Sequence, residues 1–228
     1  MQQCDKQQNQ FTSQDVEIIS KETVFKGFFK MVKYRFKHRL FAGGWSGIVE
    51  REMFERGHAA AMLPYDPITD QVVIIEQIRV GALEHQHPWQ LEIVAGMIDR
   101  DESAEEVIRR EAVEEAGIEV QRMASVTSYY PSSGGCSEKL DVFVGEVDAS
   151  KAYGIHGLDY EDEDIRVHVI SRETAYQWVK DGKFENGASI IALQWLQLNH
   201  QALTSQWGTP NKRRVNNGAS SSKTALPR

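Results

Sequence analysis

Gly96-Met97-Ile98-Asp99-Arg100-Asp101-Glu102-Ser103-Ala104-Glu105-Glu106-Val107-Ile108-Arg109-Arg110-Glu111-Ala112-Val113-Glu114-Glu115-Ala116-Gly117-Ile118 is the stretch that decides how this chain is read. A helix beginning near Ser103 turns about 100° per residue, so Glu111 and Glu115 project from one face and Glu114 lies a short way round it. Ser103 with Glu106 makes a capping box at the start, and Gly117 can take the left-handed conformation that ends a helix. Gly96 suits a tight turn out of the strand that precedes it. On an ordinary exposed face, Arg109, Arg110 and Arg122 would offset such acidity. Here the carboxylates are gathered closely enough to repel one another, a cost that a shared cation removes. Hard divalent ions such as Mg²⁺ and Mn²⁺ prefer oxygen ligands and complete their shells with water and phosphate. The spacing therefore implies metal-assisted chemistry on a phosphate compound.

Outward from this stretch, the composition is that of an ordinary folded chain. Its 228 residues suffice for one domain with an added lobe, 41% are hydrophobic and 26% charged. No apolar run approaches the ~20 residues of a membrane helix, and the polar first ten residues carry no secretion signal, so we expect no membrane association and a cytoplasmic location. Cys4 and Cys136 are the two cysteines, which fits a reducing compartment. A net charge of −7 argues against nucleic acid as the main partner. The basic residues between 30 and 39 alternate with apolar ones, the pattern of a strand with one basic face.

Period-two alternation and turn residues place strands at 16–19, 24–29, 31–41, 46–54, 58–64, 71–79, 89–95, within 119–129, at 140–147 and at 165–170. Residues 66–70 read as a hairpin turn. Ser171 caps a helix over 172–180, and a longer helix with one apolar face covers 188–201. Many strands with few helices predict an α/β chain with a mixed sheet between helices. Residues 208–228 are polar and low in large apolar side chains, so we expect a disordered tail.

The 96–118 stretch matches the pattern G-x5-E-x7-R-E-U-x-E-E-x-G-U, U being apolar, through Gly96, Glu102, Arg110, Glu111, Glu114, Glu115, Gly117 and Ile118, with Ala112 the small member of the U set. In this it resembles the Nudix hydrolases. The resemblance implies an α/β/α sandwich with a mixed β-sheet over 56–207, preceded by a small β-rich dimerisation region over 1–55. Outside the box, the segments 51–60, 76–79, 154–158 and 163–168 resemble the bacterial dimeric ADP-ribose pyrophosphatases over about residues 14–207. That implies hydrolysis of ADP-ribose to AMP and ribose 5-phosphate with Mg²⁺, or Mn²⁺ in its place, in a homodimer whose sites are built from both chains.

The same resemblance assigns roles. Metal would be held by Glu111, Glu115, Glu163 and the Ala95 carbonyl. Glu161, in the acidic loop 158–164, aligns with the general base, since the box carboxylates are taken up by metal. Arg110 would orient the box carboxylates by bidentate hydrogen bonds. Arg79, Arg51 and Arg56 are candidates to neutralise phosphates, and Phe28 and Phe29 to stack an adenine, since an aromatic face accepts any base. Glu52 is placed to accept from the base, Glu138 from the terminal ribose or a water, and Ser132, Ser133 and Gly134 to offer donors. Ser133 stands where the ADP-ribose subfamily commonly has a proline, with Pro131 nearby. Hydrolysis of another nucleotide sugar, GDP-mannose or a different ADP-sugar, therefore remains open. A non-enzymatic ADP-ribose sensor is the third reading, although such proteins usually lose box carboxylates that are all present here.

Overall fold

A computed structural model describes residues 10–99, 101–158, 160 and 162–208. Residues 209–228 of the expected tail, Cys4 and the expected base Glu161 lie outside the described residues.

Fourteen strands and α-helices follow one another: β1 (Val16–Lys26), β2 (Lys30–His38), β3 (Val49–Glu55), β4 (Ala59–Asp66), β5 (Gln71–Ile78), β6 (Trp89–Glu92), β7 (Val94–Met97), α1 (Ala104–Ala116), β8 (Met123–Tyr129), β9 (Leu140–Glu146), β10 (Ile155–His156), β11 (Ile165–Ser171), α2 (Arg172–Lys180) and α3 (Gly187–Trp207). The first three strands form an antiparallel sheet of their own. The others form one mixed sheet in the order β10-β11-β5-β4-β9-β8, in which β4 and β9 run parallel.

The centre of that sheet explains where the site lies. Every residue of β4 is buried, as expected of a strand covered on both faces. It pairs with β5 only at Tyr65 and Asp66; farther along the two strands part, and β6 pairs with β5 while β7 pairs with β4. Pro64, with no N–H to give, falls between the β7 and β5 pairings of β4. Strand β7 of this wedge packs against α1.

Helices cover both faces. On one side α2 and α3 close a core around Leu63, Tyr65, Ile74, Val142, Leu193 and Leu196. On the other, α1 closes a core around Met62, Val73, Ile75, Val107, Ile108 and Ile165. This is the α/β/α sandwich with a mixed sheet that the box implied, with a β-rich region ahead of it.

Several expected elements differ in extent. Residues 16–26 form one strand rather than two, with register shifts at Ile18/Ser20 and Thr23/Phe25, and 27–29 turn the chain into β2. The shifts interrupt the period-two pattern, which is why it reads as two strands. Ile93 breaks the expected 89–95 strand into β6 and β7. Helix α3 runs on to Trp207, because Leu203 and Trp207 continue its buried face and no breaker precedes Gly208. The two-residue strand β10 has no counterpart in the reading from sequence.

Candidate active site

Helix α1 is set in place at both ends. Ser103 accepts from the Glu106 N–H and the Glu106 carboxylate accepts from the Ser103 N–H, the expected capping box. Gly117 sits at φ 65°, and its N–H and that of Ile118 satisfy the last carbonyls. The turn is also packed: a Cβ on Gly117 would lie 2.6 Å from Cε1 of His156, so the β10 hairpin rests directly on the helix end. The Gly157 N–H donates to the Glu114 carbonyl at 3.3 Å, tying the segment that follows β10 to α1.

Strand β7 lies against the acidic face in the same C-terminal half of α1. The Ala95 N–H donates to Oε2 of Glu115 at 3.0 Å. A strand residue carries its N–H and C=O on the same edge, so the Ala95 carbonyl belongs to the edge that faces α1. Gly96 leaves room for Glu111, whose Oε1 would stand 2.1 Å from any Cβ there. The glycine of the box is thus required by side-chain packing; it lies within β7 and not in the expected turn.

The electrostatics are those of carboxylates held out of water. Burial pushes the Glu115 carboxyl up to about 8, against the Ala95 hydrogen bond and with repulsion from Glu111 and Glu163 adding to the rise. Burial pushes Glu111 up to about 7, with Arg110 opposing and Glu114 and Glu163 assisting. Arg110 stands among the acids as expected: one terminal nitrogen donates to Glu111 and Glu114, both at 2.9 Å, and the rest of the guanidinium lies 3.3–3.4 Å from Glu102.

Among the described residues, no three acidic, histidine or cysteine side chains already form a ligand shell. The residues nonetheless fit a divalent ion. Glu111 and Glu115 are hard oxygen donors whose negative charge burial and mutual repulsion disfavour, a penalty that a bound dication reverses. Glu163 acts electrostatically on both. Its segment is seated by Gly157, at φ 110°, where a Cβ would come 2.6 Å from the Glu163 carbonyl.

Arg79 completes this cluster. Burial would lower its pKa, but the Glu92 carboxylate outweighs that, and Glu115 and Glu163 also act on it across the site. Its Nε and one terminal nitrogen both donate to Oε2 of Glu92, at 2.8 and 2.5 Å.

A second group of expected residues gathers around the edge of the three-stranded sheet. Phe29 packs edge-on against Phe28 and Phe54, with ring centroids 4.8 and 5.2 Å away, and the Arg56 guanidinium lies 5.4 Å from the Phe29 ring. Nε of Arg56 is buried, without a hydrogen-bond partner and 3.5 Å from Oε1 of Glu138. Phe28 is 88% exposed, so it is free to stack a ligand in a way that a core residue is not. The Phe54 backbone bonds to Gly135 and Ser137, which brings the exposed Ser132–Ser133–Gly134 turn to the same edge. Arg51 and Glu52 are exposed on β3, Arg51 donating to the Glu50 carbonyl and Glu52 facing Lys33 in register.

Reading the sequence did not single out Glu92, Gly157 or the His156 contact. Glu92 carried a signal, a lone acid inside an apolar strand, that only its partners Arg79 and Asn186 explain.

A model of the NUDIX domain matches residues 55–211. The chain is 60% identical over 198 residues to an ADP-ribose pyrophosphatase of Escherichia coli (strain K12), covering 86% of this chain and 95% of that protein. It is 37% identical over 153 residues to a GDP-mannose pyrophosphatase of Enterobacter sp. (strain 638), covering 66% and 78%. A solved structure described as an ADP compounds hydrolase superposes with a TM-score of 0.64 at 19% identity, over 83% of this chain and 96% of that one, a likeness of fold. The acidic helix, the strand beneath it and the domain match together place this chain in the Nudix family.

Proposed function

We propose that the chain is a metal-dependent Nudix hydrolase that cleaves the pyrophosphate of ADP-ribose to AMP and ribose 5-phosphate. The observation that carries this reading is the pair Glu111 and Glu115, half-buried and buried on one face of α1 beside β7, with their carboxyls raised to about 7 and 8. The substrate follows the printed name of the relative that is 60% identical; the relative named for GDP-mannose is more distant, at 37%.

Glu111, Glu115, Glu163 and the Ala95 carbonyl would hold Mg²⁺, which would supply charge neutralisation at the pyrophosphate and a lowered pKa for the attacking water. The chain does the rest. Glu161 takes the proton from that water as its oxygen bonds to phosphorus, and the bridging P–O bond breaks toward the departing phosphate. Arg110 holds Glu111 and Glu114 in orientation, and Arg79 draws the phosphate charge into the site. Phe28 stacks the adenine, with Arg56, Glu138 and the 132–134 turn around it. Arg51 and Glu52, exposed on β3, serve the site of a second copy, and residues 1–55 make the dimer contact. Support for that contact is the exposure of Ile18, Phe25, Phe28 and Phe41, each more than 60% accessible within a single chain.

A substrate panel tests the reading. Purified protein is given ADP-ribose, GDP-mannose or ATP with and without Mg²⁺, and products are resolved by chromatography. AMP and ribose 5-phosphate formed fastest from ADP-ribose, and only with metal, is the expected result. Faster GDP-mannose turnover would overturn the substrate assignment, and no turnover of any of the three would overturn the enzyme.

A further inference from the structure

The loop before α3 reaches back to the arginine of the site through one buried carboxylate. Glu92 is 5% exposed, and Oε2 alone takes both Nε and a terminal nitrogen of Arg79. A carboxylate left to itself usually meets an arginine fork with both oxygens. Here the other oxygen is occupied: Oε1 of Glu92 accepts from the side-chain amide of Asn186 at 3.1 Å.

Asn186 cannot turn its amide the other way without loss. Its Oδ1 caps α3, accepting from the Ser189 N–H at 3.2 Å and from the Ser189 hydroxyl at 3.3 Å. That hydroxyl, fully buried, accepts in turn from the N–H of Ile93, the residue between β6 and β7. With a donor on one side and a carboxylate on the other, the amide has a single orientation that satisfies both neighbours. The adjacent Glu185 also accepts from Gln90 of β6 at 3.0 Å, so the start of α3 grips the strand at two points.

We propose that Asn186 is a positioning residue for Arg79: by engaging one oxygen of Glu92 it leaves only the other for the guanidinium, and so fixes where the arginine's remaining donors point. Without that amide, the carboxylate turns to take the guanidinium on both oxygens, and Arg79 is drawn along the strand, away from Glu115 and Glu163. This inference rests on the reading of Arg79 as a phosphate-holding residue.

The test separates capping from positioning. Asn186→Asp keeps an acceptor for Ser189 but replaces the donor to Glu92 with a second carboxylate. The double variant Glu92→Gln with Asn186→Asp restores a donor–acceptor pair with its direction reversed. Steady-state kinetics on ADP-ribose are read beside the Nε–H resonance of Arg79, assigned by its loss in Arg79→Lys. The resonance reports the arginine's setting whatever the substrate proves to be. We expect Asn186→Asp to raise KM about tenfold with a much smaller change in kcat and to shift the Nε–H signal. The double variant should recover most of both, and Asn186→Asp should add nothing in an Arg79→Ala background. An unmoved Nε–H signal in Asn186→Asp overturns the proposal, as does an equal KM effect with Arg79 removed. If Asn186→Asp fails to fold, a double variant that folds without restoring the signal overturns it equally. Absence of ADP-ribose turnover in the unaltered protein, with the Nε–H shift present, rejects the substrate and leaves the positioning role standing.

Discussion

Gly96 and Glu111 are packed so closely that a methyl group on the glycine would lie 2.1 Å from the carboxylate oxygen of the glutamate. The strand that leads into the box and the helix that carries its acids are therefore in contact through one position where only hydrogen fits. Gly96→Ala should displace Glu111 without exposing core. We expect apparent metal affinity to fall by about tenfold or more, as when a ligand's supporting contacts are lost. Mg²⁺ titration of the rate beside a thermal melt checks this; unchanged metal affinity would mean that Glu111 is not held where the ion binds.

The two raised carboxyls make stability depend on pH in a direction opposite to that of most acids. Glu111 and Glu115 rise from an ordinary 4.5 to about 7 and about 8, so the folded protein binds more protons than the unfolded chain between those limits. Metal-free protein should accordingly lose stability as pH climbs from near 4.5 toward 8. A divalent ion selects the deprotonated pair, so the rise in Tm from saturating Mg²⁺ should be larger at about pH 8 than at about pH 6. Melts at both values, with metal and with chelator, decide it; a larger rise at the lower pH would contradict the ligand assignment.

Gly157 should matter to turnover through the segment it seats. Its φ of 110° and its contact with Glu163 leave no space for a side chain. Gly157→Ala should shift the acidic segment and reduce kcat by about a hundredfold, the scale of a misplacement near 1 Å. Steady-state rates check it, and a kcat within twofold of the unaltered protein would show that Glu163 is not positioned from here.

Far from the site, Arg172 donates to both carboxylate oxygens of Asp70, at 2.8 and 2.9 Å. Burial by itself would raise Asp70, but the bonds from Arg172 and Tyr65 outweigh it and hold the carboxyl below its ordinary 3.8. A depressed acid stabilises the fold above its unfolded pKa, and that contribution fades as pH falls through the folded value. Asp70 is half exposed, so Arg172→Met should cost only about 1 kcal/mol near neutral pH and less in acid. Urea unfolding at pH 7 and near pH 3 tests this; an effect that grows in acid would contradict it.

What the sequence disclosed follows from where the chemistry sits along the chain. The acids of α1 occupy one continuous stretch, with a cap, a terminating glycine and a strand beside it, so spacing alone brings Glu111 and Glu115 together. Arg79, Glu92 and Asn186 are bonded to one another yet come from the residue after β5, from β6 and from the loop before α3, and only the fold joins them. Strand β1 was misread for a physical reason: its register shifts change which face each side chain takes, and the alternation breaks although the strand does not. The start of α3 was legible, but its end was not, because Leu203 and Trp207 are held by the sheet rather than by any local signal.

The central claim is that Glu115 and its neighbours bind a divalent ion that makes pyrophosphate hydrolysis possible. The most direct test is the rate of AMP release from ADP-ribose as Mg²⁺ is titrated, for the unaltered protein and for Glu115→Gln. We expect a rate that saturates with Mg²⁺ and vanishes in chelator, and a loss of at least about a hundredfold in Glu115→Gln with its melt preserved. Turnover that persists in chelator, or a Glu115→Gln variant as fast as the unaltered protein, would contradict the account.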